Sequence, residues 1–346
     1  MLNRTEIKDL GEFGLIDRVT KNFETFHNSS LKGIGDDAAV IYQHDDVMVT
    51  SSDMLLEGVH FDLSYAPLKH LGYKAMSVNF SDIAAMNALP YQVLVNIAIS
   101  NRFSVEAIEE LYDGIRQACQ DYKVDLVGGD TTSSRSGLVI SVTVFGQAKR
   151  GQLAYRNGAK KSEIICVTGD LGAAYLGLQL LEREKQVFMA NPTMQPELDG
   201  FDYLLERQLK PQARTDMVHE LVEAKVVPTS MIDISDGLAS ELFHLCKQSG
   251  TGCMIYEDKL PIDDLTYKVA GDFKMPIATV ALNGGEDYEL LFTIKQEDFE
   301  KIEHIDDITP IGYMKEAKDG LKLATRAGQT LPITAQGWNH FKSDEH

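Results

Sequence analysis

A short stretch near the start of the chain carries the pattern that most constrains the fold. Residues 33–61 read GIGDDAAVIYQHDDVMVTSSDMLLEGVHF, in which a glycine turn and two apolar runs precede Ser51, Ser52, Asp53 and His60. The runs at 39–41 and 47–49 have the composition of adjacent strands. If those strands pair, Asp36 and Asp37 lie at the entrance of one strand and Asp53 lies at the exit of the other.

Carboxylates brought together with no lysine or arginine between them repel one another unless a cation binds them. Mg2+ is a hard cation that takes oxygen ligands, so this stretch is compatible with a magnesium site. The alternative is a pair of solvated loops whose Asp and Ser side chains cap turns and helices. The stretch taken alone leaves both interpretations open.

The rest of the chain alternates strands and helices, which predicts an α/β fold with mixed sheets in two domains. Helices are expected at 12–24, 70–88 and 104–121, with strands at 91–99 and 137–148 and a short strand ending at Val127. After a basic segment at 149–161, strands are expected at 164–168, 231–234 and 289–294, and helices at 202–208, 212–224 and 238–249. We place the domain boundary after residue 148, which gives domains of 1–148 and 149–346.

Acidic residues beside glycine or serine recur where the predicted strands end, and they occur in both halves. One of them, Asp82, interrupts the apolar face of a predicted helix, where it needs a partner or a ligand. The alternative is that Ser81 and Asp82 cap the start of a second, shorter helix. An interdomain cleft that gathered these groups would bind Mg2+ and hold a polyanion such as ATP through the metal ions. The set comprises Asp36, Asp37, Asp53, Asp82, Asp130, Asp233, Asp236, Glu286 and Asp287.

Several classes of protein are disfavoured. There is no GxxxxGK[ST] phosphate loop, and two aspartates in the glycine turn at 33–38 would repel the pyrophosphate of a dinucleotide. The net charge of -19 disfavours nucleic acid and anionic membranes as partners. No apolar run reaches the roughly 18 residues of a membrane span, the N-terminus lacks a signal-like run, and the four cysteines have no zinc spacing, so we expect a cytoplasmic protein.

The motifs resemble those of the thiamine-monophosphate kinases. They are GIGDDA at 33–38, SSDMLLEGVHF at 51–61, GYKAMSVNFSDIAAM at 72–86, GGDTT at 128–132, DISDGL at 233–238 and GGEDYEL at 284–290, in that family's order. The superfamily also includes aminoimidazole ribonucleotide synthetase, selenophosphate synthetase and a hydrogenase-maturation protein. The resemblance implies the two-domain aminoimidazole ribonucleotide synthetase-like architecture and a homodimer whose N-terminal domains join their sheets.

The resemblance further implies ATP-dependent phosphorylation of thiamine monophosphate to the diphosphate, with several Mg2+ ions. Residues that match the family's metal ligands are Asp37, Ser51, Ser52, Asp53, Asp82, Asp130, Asp233 and Asp236. Those expected at ATP are Gly129, Asp130, Arg156 and Ser235, with Arg156 in the catalytic role. Those expected at the thiamine substrate are His60, Glu286 and Trp338. Taken alone, Trp338 would be read as a packing anchor, but a thiazolium cation is attracted to an indole face.

The chemistry of the residues agrees with such a reaction. A phosphate monoester is already largely a dianion at neutral pH, so its oxygen can attack a γ-phosphoryl group without a general base. The obstacle is repulsion between two polyanions, which clustered Mg2+ ions reduce. Arg156 is expected to take up charge on the ATP phosphates or in the transition state.

Two alternatives remain open at the level of the sequence. One is another ATP-dependent enzyme of the superfamily, of which aminoimidazole ribonucleotide synthetase is preferred because it needs no cysteine. The first glycine loop has no cysteine and the chain ends in SDEH, which disfavours the selenophosphate and hydrogenase-maturation members. The other alternative is a noncatalytic sensor of Mg-nucleotide built on the same scaffold.

Overall fold

The computed structural model describes residues 30–32, 35–43 and 46–334. The predicted helix at 12–24, the first two residues of the glycine turn and Trp338 lie outside these ranges. In the described part of the chain, no helix combines the length and the apolar character needed to cross a membrane.

The first half of the chain forms a six-stranded sheet. Its strands lie in the order β1-β2-β3-β6-β4-β5, and neighbours are antiparallel except for β4 and β5. The predicted pairing of the two apolar runs is confirmed, since Val40 lies opposite Val49. The strands are β1 (Ser30–Lys32), β2 (Ala39–Gln43), β3 (Asp46–Leu56), β4 (Leu89–Ile99), β5 (Asp125–Ser133) and β6 (Val139–Lys149).

Two helices, α1 (Leu68–Ala85) and α2 (Val105–Tyr122), accompany this sheet. They approach closely because glycines face each other's backbone: a Cβ added to Gly72 would lie 2.0 Å from Leu111 O, and one added to Gly114 would lie 1.8 Å from Lys69 O. Most residues of α1 are buried, including the polar Lys74 and Asn79. A helix buried all round must have neighbours on every side, so α1 is an internal element.

The second half of the chain builds a seven-stranded sheet in the order β13-β12-β9-β11-β7-β10-β8. Its strands are β7 (Ile164–Thr168), β8 (Ser230–Asp233), β9 (Thr251–Tyr256), β10 (Leu290–Ile294), β11 (Ile308–Glu316), β12 (Leu321–Ala324) and β13 (Thr330–Pro332). Its helices are α3 (Ala173–Ala190), α4 (Asp202–Leu209), α5 (Thr215–Glu223), α6 (Leu238–Ser249), α7 (Asp264–Asp272) and α8 (Ile277–Asn283). Strands β7, β8 and β10 are buried along their whole length, which explains the apolar runs in β7 and β10.

Helix α1 joins the two halves. Ala84 and Ala85, at its end, pack into the same apolar cluster as Cys166 of β7, Met231 of β8 and Phe292 of β10. The first half therefore contributes directly to the core of the second. This arrangement places the C-terminal part of α1 beside the end of β8, where the acidic DISDGL motif begins.

The elements follow the sequence predictions with two differences that concern acidic residues. Asp53 was expected at the exit of a strand, but β3 continues to Leu56, because the whole of β3 pairs with β6. The GGDTT motif was expected to follow a strand, but it lies within β5, because Gly129 and Asp130 pair with Val95 and Asn96 of β4.

Candidate active site

A cavity of about 1470 Å3 opens between the two halves of the chain. The first half contributes β3, the loop that follows it and α1. The second half contributes α3, the DISDGL loop and the loop that carries the GGEDYEL motif. Eleven of the side chains proposed for the site line it. These are Asp37, Ser51, Ser52, Asp53, His60, Asp82, Arg156, Asp233, Ser235, Asp236 and Glu286.

Three carboxylates form the centre of this cavity. Oxygens of Asp37, Asp82 and Asp233 all lie within 4.8 Å of one another. Asp37 lies in the glycine turn before β2, which we call the first loop, whereas Asp82 lies on α1 and Asp233 ends β8. Asp233 is 3% exposed and Asp37 is 9% exposed. Three anions this close in a partly dehydrated site repel strongly, so either protons or a cation must reduce their charge.

Burial and the neighbouring carboxylates raise the pKa values of Asp82 and Asp233. Burial raises the pKa of Asp82 well above its ordinary value, and the carboxylates of Asp53, Asp233 and Asp37 raise it further. Burial and the neighbouring Asp37 raise the pKa of Asp233 to about 8. The protein without a cation therefore retains protons on this cluster that a bound divalent ion would displace.

Serine hydroxyls fix the orientation of two of these carboxylates. Ser51 Oγ donates to Asp82 Oδ2 at 2.6 Å, and Ser81 Oγ donates to Asp233 Oδ2 at 2.7 Å. The Ser51 bond joins β3 to α1, whereas the Ser81 bond joins α1 to the second half. The carboxylates are thus held before any ligand arrives, as in metal sites whose ligands are oriented by further hydrogen bonds.

Asn79 connects the same helix to the strand that carries Asp53. Its Nδ2 donates to Ala75 O at 2.9 Å, which orients the amide, and its Oδ1 accepts from the backbone N–H of Asp53 at 3.0 Å. Asp53 itself is exposed on β3 and faces the cavity. One turn of α1 therefore bonds to the backbone of Asp53 through Asn79 and to the carboxylate of Asp233 through Ser81, and it carries Asp82 itself.

Arg156 is the principal positive charge beside the cluster. Its Nε donates to Asp37 Oδ2 at 2.8 Å and its second nitrogen donates to Asp37 Oδ1, which makes the pair bidentate. Both side chains are largely buried, with 16% and 1% exposed. The ion pair with Asp37 raises the pKa of Arg156, against the effect of burial, so the guanidinium stays charged.

Asp36 has a different environment from Asp37. Its Oδ1 accepts from the backbone N–H of Arg156 at 2.9 Å, and its Oδ2 lies 3.3 Å from Lys32 Nζ. Burial raises the pKa of this carboxyl group, and the Arg156 N–H opposes that rise. Asp36 therefore fastens the first loop to the segment that carries Arg156.

His60 and Glu286 also line the cavity. His60 Nδ1 accepts from the Leu56 N–H at 3.0 Å, so the imidazole carries its proton on Nε2 when it is neutral. Glu286 accepts at the same oxygen, Oε2, from Lys74 Nζ at 3.0 Å and from Gln208 Nε2 at 2.6 Å. The loop that carries Glu286 packs tightly against the DISDGL loop, since a Cβ on Gly285 would lie 2.6 Å from Ser235 O.

Gly129 and Asp130 do not line this cavity. Gly129 and Asp130 are exposed on β5, at the edge of the first sheet. In the sheet register, three strand spacings separate β3 from β5. That places Asp130 about 14 Å from Asp53, too far for one ion to contact both in a single chain. Trp338 lies outside the described residues.

The sequence predictions missed Lys74, Gln208 and Glu241, which are buried polar residues at or beside the cavity. Glu241 on α6 accepts from the Asp236 N–H at 3.2 Å and so holds the start of the DISDGL loop. Burial, Asp236 and Asp233 raise the pKa of Glu241 well above its ordinary value. The signal for Lys74 was available, because the lysine lies three residues after Leu71 and four before Val78, on the apolar face of the predicted helix.

The donor set fits Mg2+. All candidate ligand atoms are carboxylate or hydroxyl oxygens, and hard cations prefer such ligands. Burial, together with repulsion from neighbouring carboxylates, raises the pKa values of Asp82 and Asp233, which is the environment that a bound cation would relieve. An arginine already neutralises one of the three carboxylates, so one divalent ion would balance the other two.

Two mixed sheets that enclose an acid-lined cleft define a class of two-domain proteins. Residues 35–148 match the family model for the N-terminal domain of AIR synthase related proteins. The chain is 36% identical over 342 residues to thiamine-monophosphate kinase of Bacillus subtilis (strain 168), covering 96% of this chain and 100% of that protein. It is 35% identical to the enzyme of that name from Aquifex aeolicus (strain VF5), covering 97% and 99%. The chain belongs to the thiamine-monophosphate kinase family.

A solved structure agrees with this assignment. AaThiL complexed with AMPPCP and TMP matches the fold with a TM-score of 0.83 at 33% identity, covering 98% of this chain and 99% of that chain. A hydrogenase maturation protein, HypE, in complex with ATP has a TM-score of 0.68 at 17% identity, which shows a common fold alone.

Proposed function

We propose that this protein transfers the γ-phosphoryl group of ATP to thiamine monophosphate and so forms thiamine diphosphate. The observation that carries the proposal is the convergence of Asp37, Asp82 and Asp233, from both halves of the chain, on one cavity. A cleft of this kind can hold two polyanions through oxygen-bound cations. The related structure complexed with AMPPCP and TMP supports the choice of substrates.

The acceptor needs no general base from the protein. Its phosphate is largely a dianion at neutral pH, and one of its oxygens attacks the γ-phosphorus as the bond to ADP breaks. The task of the protein is to bring the two phosphates into line and to exclude water. The cavity walls come from both halves and include the DISDGL loop and the loop after β3.

Mg2+ is the cation that we propose for the cluster, and bound ions would lower the charge of both phosphates. The residues proposed as ligands are Asp37, Ser51, Ser52, Asp53, Asp82, Asp130, Asp233 and Asp236. Arg156 is proposed to contact ATP and to take up charge in transfer. Because Arg156 is bound to Asp37 in this structure, we propose that ions which neutralise Asp37 free the guanidinium for phosphate.

The remaining roles are divided between the nucleotide and the acceptor. We propose Gly129, Asp130, Arg156 and Ser235 as the nucleotide contacts and His60, Glu286 and Trp338 as the acceptor contacts. His60 and Glu286 both line the cavity, which supports their assignment. Glu286 is an anion that suits the amino-bearing or cationic part of thiamine.

We also propose that the chain works as a cytoplasmic homodimer, with domains 1–148 and 149–346. The end of β6 at Lys149 supports this boundary. All residues of β5 are exposed at the edge of its sheet, including the apolar Leu126 and Val127. Edge strands of this kind invite pairing with another strand. Gly129 and Asp130 lie on the same edge, so their contacts with ATP and Mg2+ would form at or beside the contact between two copies.

The proposal is tested by ADP release with thiamine, thiamine monophosphate and formylglycinamidine ribonucleotide as acceptors. Of the three acceptors, we expect only thiamine monophosphate to support ADP release, and we expect that release to require Mg2+. Turnover with the ribonucleotide alone would favour aminoimidazole ribonucleotide synthetase chemistry. Binding of ATP and Mg2+ without ADP release from any acceptor would favour a nucleotide sensor.

A further inference from the structure

A buried lysine lies beside Glu286, one of the proposed acceptor contacts, and has no part in the roles described above. Lys74 on α1 is 4% exposed and lines the cavity. Its ammonium group donates to the backbone oxygen of Gln208 at 2.9 Å and to Glu286 Oε2 at 3.0 Å. An ammonium group is buried at acceptable cost only when it is paired and hydrogen-bonded. These two acceptors therefore fix the position of Lys74.

Gln208, at the end of α4, holds the same carboxylate. Its side-chain Nε2 donates to Glu286 Oε2 at 2.6 Å, and the residue is 5% exposed. The amide orientation is determined, because an ionised carboxylate can only accept. Two donors from different helices thus converge on one oxygen of Glu286. In the described part of the chain, no hydrogen bond ends on the other oxygen, Oε1, and the side chain keeps 29% exposure.

The backbone of Glu286 is also constrained. Its φ of 65° lies in the left-handed region, which is unfavourable for a residue with a side chain. The Glu286 N–H donates to Ser235 O at 2.7 Å and so ties this conformation to the DISDGL loop. Backbone strain that the surroundings enforce is typical of functional sites. The backbone conformation thereby sets the direction of the Glu286 side chain, and Lys74 and Gln208 anchor its Oε2.

We propose that Lys74 and Gln208 are positioning residues that anchor Glu286 Oε2 and so present Oε1 to an N–H donor on the phosphate acceptor. The acceptor class is an amino-bearing heteroaromatic phosphate monoester, and the inference rests on the proposed function. A fixed carboxylate oxygen loses little conformational freedom on binding. Without Lys74, the carboxylate would turn towards water or other donors and would bind the acceptor less tightly.

The test compares Lys74→Met with Lys69→Met, which is the same change at an exposed position on the same helix. In Lys74→Met we expect the KM for thiamine monophosphate to rise by about tenfold to a hundredfold, as for loss of a charged hydrogen bond. The KM for ATP should stay within about twofold, and Lys69→Met should match the wild type in both. Gln208→Leu should shift the acceptor KM in the same direction.

Calorimetry of acceptor binding without nucleotide separates positioning from direct contact with phosphate. If Lys74 acts through Glu286, Lys74→Met weakens binding of thiamine and of thiamine monophosphate by the same factor. If only thiamine monophosphate binds more weakly, Lys74 contacts the phosphate and the proposal is wrong. An unchanged acceptor KM in a folded Lys74→Met protein would also overturn it, and if that variant does not fold, Gln208→Leu decides by the same measurements.

The outcome is separable from that of the proposed function. A wild-type protein that releases no ADP with thiamine monophosphate would refute the proposed function. Suppose that the wild type turns over normally and that the KM values for ATP and for thiamine monophosphate rise in parallel in Lys74→Met. This result would refute the positioning role alone, because a general structural defect affects both substrates.

Discussion

Ser81 Oγ donates a hydrogen bond of 2.7 Å to Asp233 Oδ2 and thereby joins helix α1 of the first half to strand β8 of the second. Both residues are buried, with Ser81 at 0% and Asp233 at 3% exposure. The bond leaves Asp233 oriented towards Asp37 and Asp82. A carboxylate at the junction of the two halves is thus positioned by a hydroxyl group from the other half.

Ser81→Ala should weaken binding of Mg2+ and leave the fold intact. Loss of a group that orients a metal ligand typically reduces metal affinity by about tenfold or more. We expect the Mg2+ concentration for half-maximal ADP release to rise by that factor. Ser77→Ala is the matched control, because Ser77 is buried on the same helix but contacts Tyr122 and the Ala213 N–H instead. An equal shift in both variants would show that Ser81 acts only through stability.

Asp53→Asn should abolish turnover with little change in stability. Asp53 is exposed on β3 and its charge raises the pKa of Asp82, so the carboxylate faces the cluster without supporting the core. We expect ADP release to fall by at least about a hundredfold, since an amide is a weaker ligand than a carboxylate. Asp46→Asn, at an exposed position on the same strand, should have no effect. Full activity of Asp53→Asn at limiting Mg2+ would remove Asp53 from the metal site.

The sequence predicted the elements better than it predicted the contacts between them. Apolar periodicity located α1, β4 and α6 to within a few residues, because local burial determines that pattern. Asp82 was expected to need a partner on its apolar face, and the structure provides Ser51. The pairing of Arg156 with Asp37 joins residues 119 positions apart. Such pairings depend on how the two halves of the chain pack together, and a local sequence pattern carries no information about that packing.

Arg156→Met should destabilise the metal-free protein more than the protein with Mg2+. Removing one partner of a buried ion pair leaves an uncompensated charge and costs about 3 kcal/mol. Here the loss would leave Asp37, Asp82 and Asp233 without their nearest guanidinium. We expect the Tm deficit to be large in EDTA and smaller at saturating Mg2+, because the ion supplies the missing charge. Arg150→Met, exposed in the same basic segment, is the control. An identical deficit under both conditions would argue against competition between Arg156 and a cation.

Val127→Lys should convert a dimer into monomers. Val127 is 57% exposed on the edge strand β5, and a lysine on an edge strand opposes pairing with a second strand. Light scattering should give twice the chain mass of 38.4 kDa for the wild type and one chain mass for the variant. Val105→Lys is the control, at 71% exposure on α2. A wild-type protein of single chain mass would refute the dimer, and a dimeric Val127→Lys would place its interface elsewhere.

The stability of the metal-free protein should fall as the pH rises from about 5 to about 8. The pKa of Asp233 is about 8 in the folded protein, whereas its ordinary value is 3.8. The folded state therefore binds more protons than the unfolded state between these values, and its stability decreases as the pH rises through them. Asp233→Asn removes this group. The Tm of the variant relative to the wild type should therefore increase by about 2–4 °C or more as the pH rises through this range. Asp287, whose pKa Asp233 does not shift, is present in both proteins and cancels in the difference. Asp82 and Glu241 lose the repulsion of a neighbouring carboxylate in the variant, which adds to its gain. The Tm increase caused by Mg2+ should grow with pH in the wild type, because the ion competes with these protons. A Tm difference between variant and wild type that does not change with pH would show that Asp233 is ionised throughout.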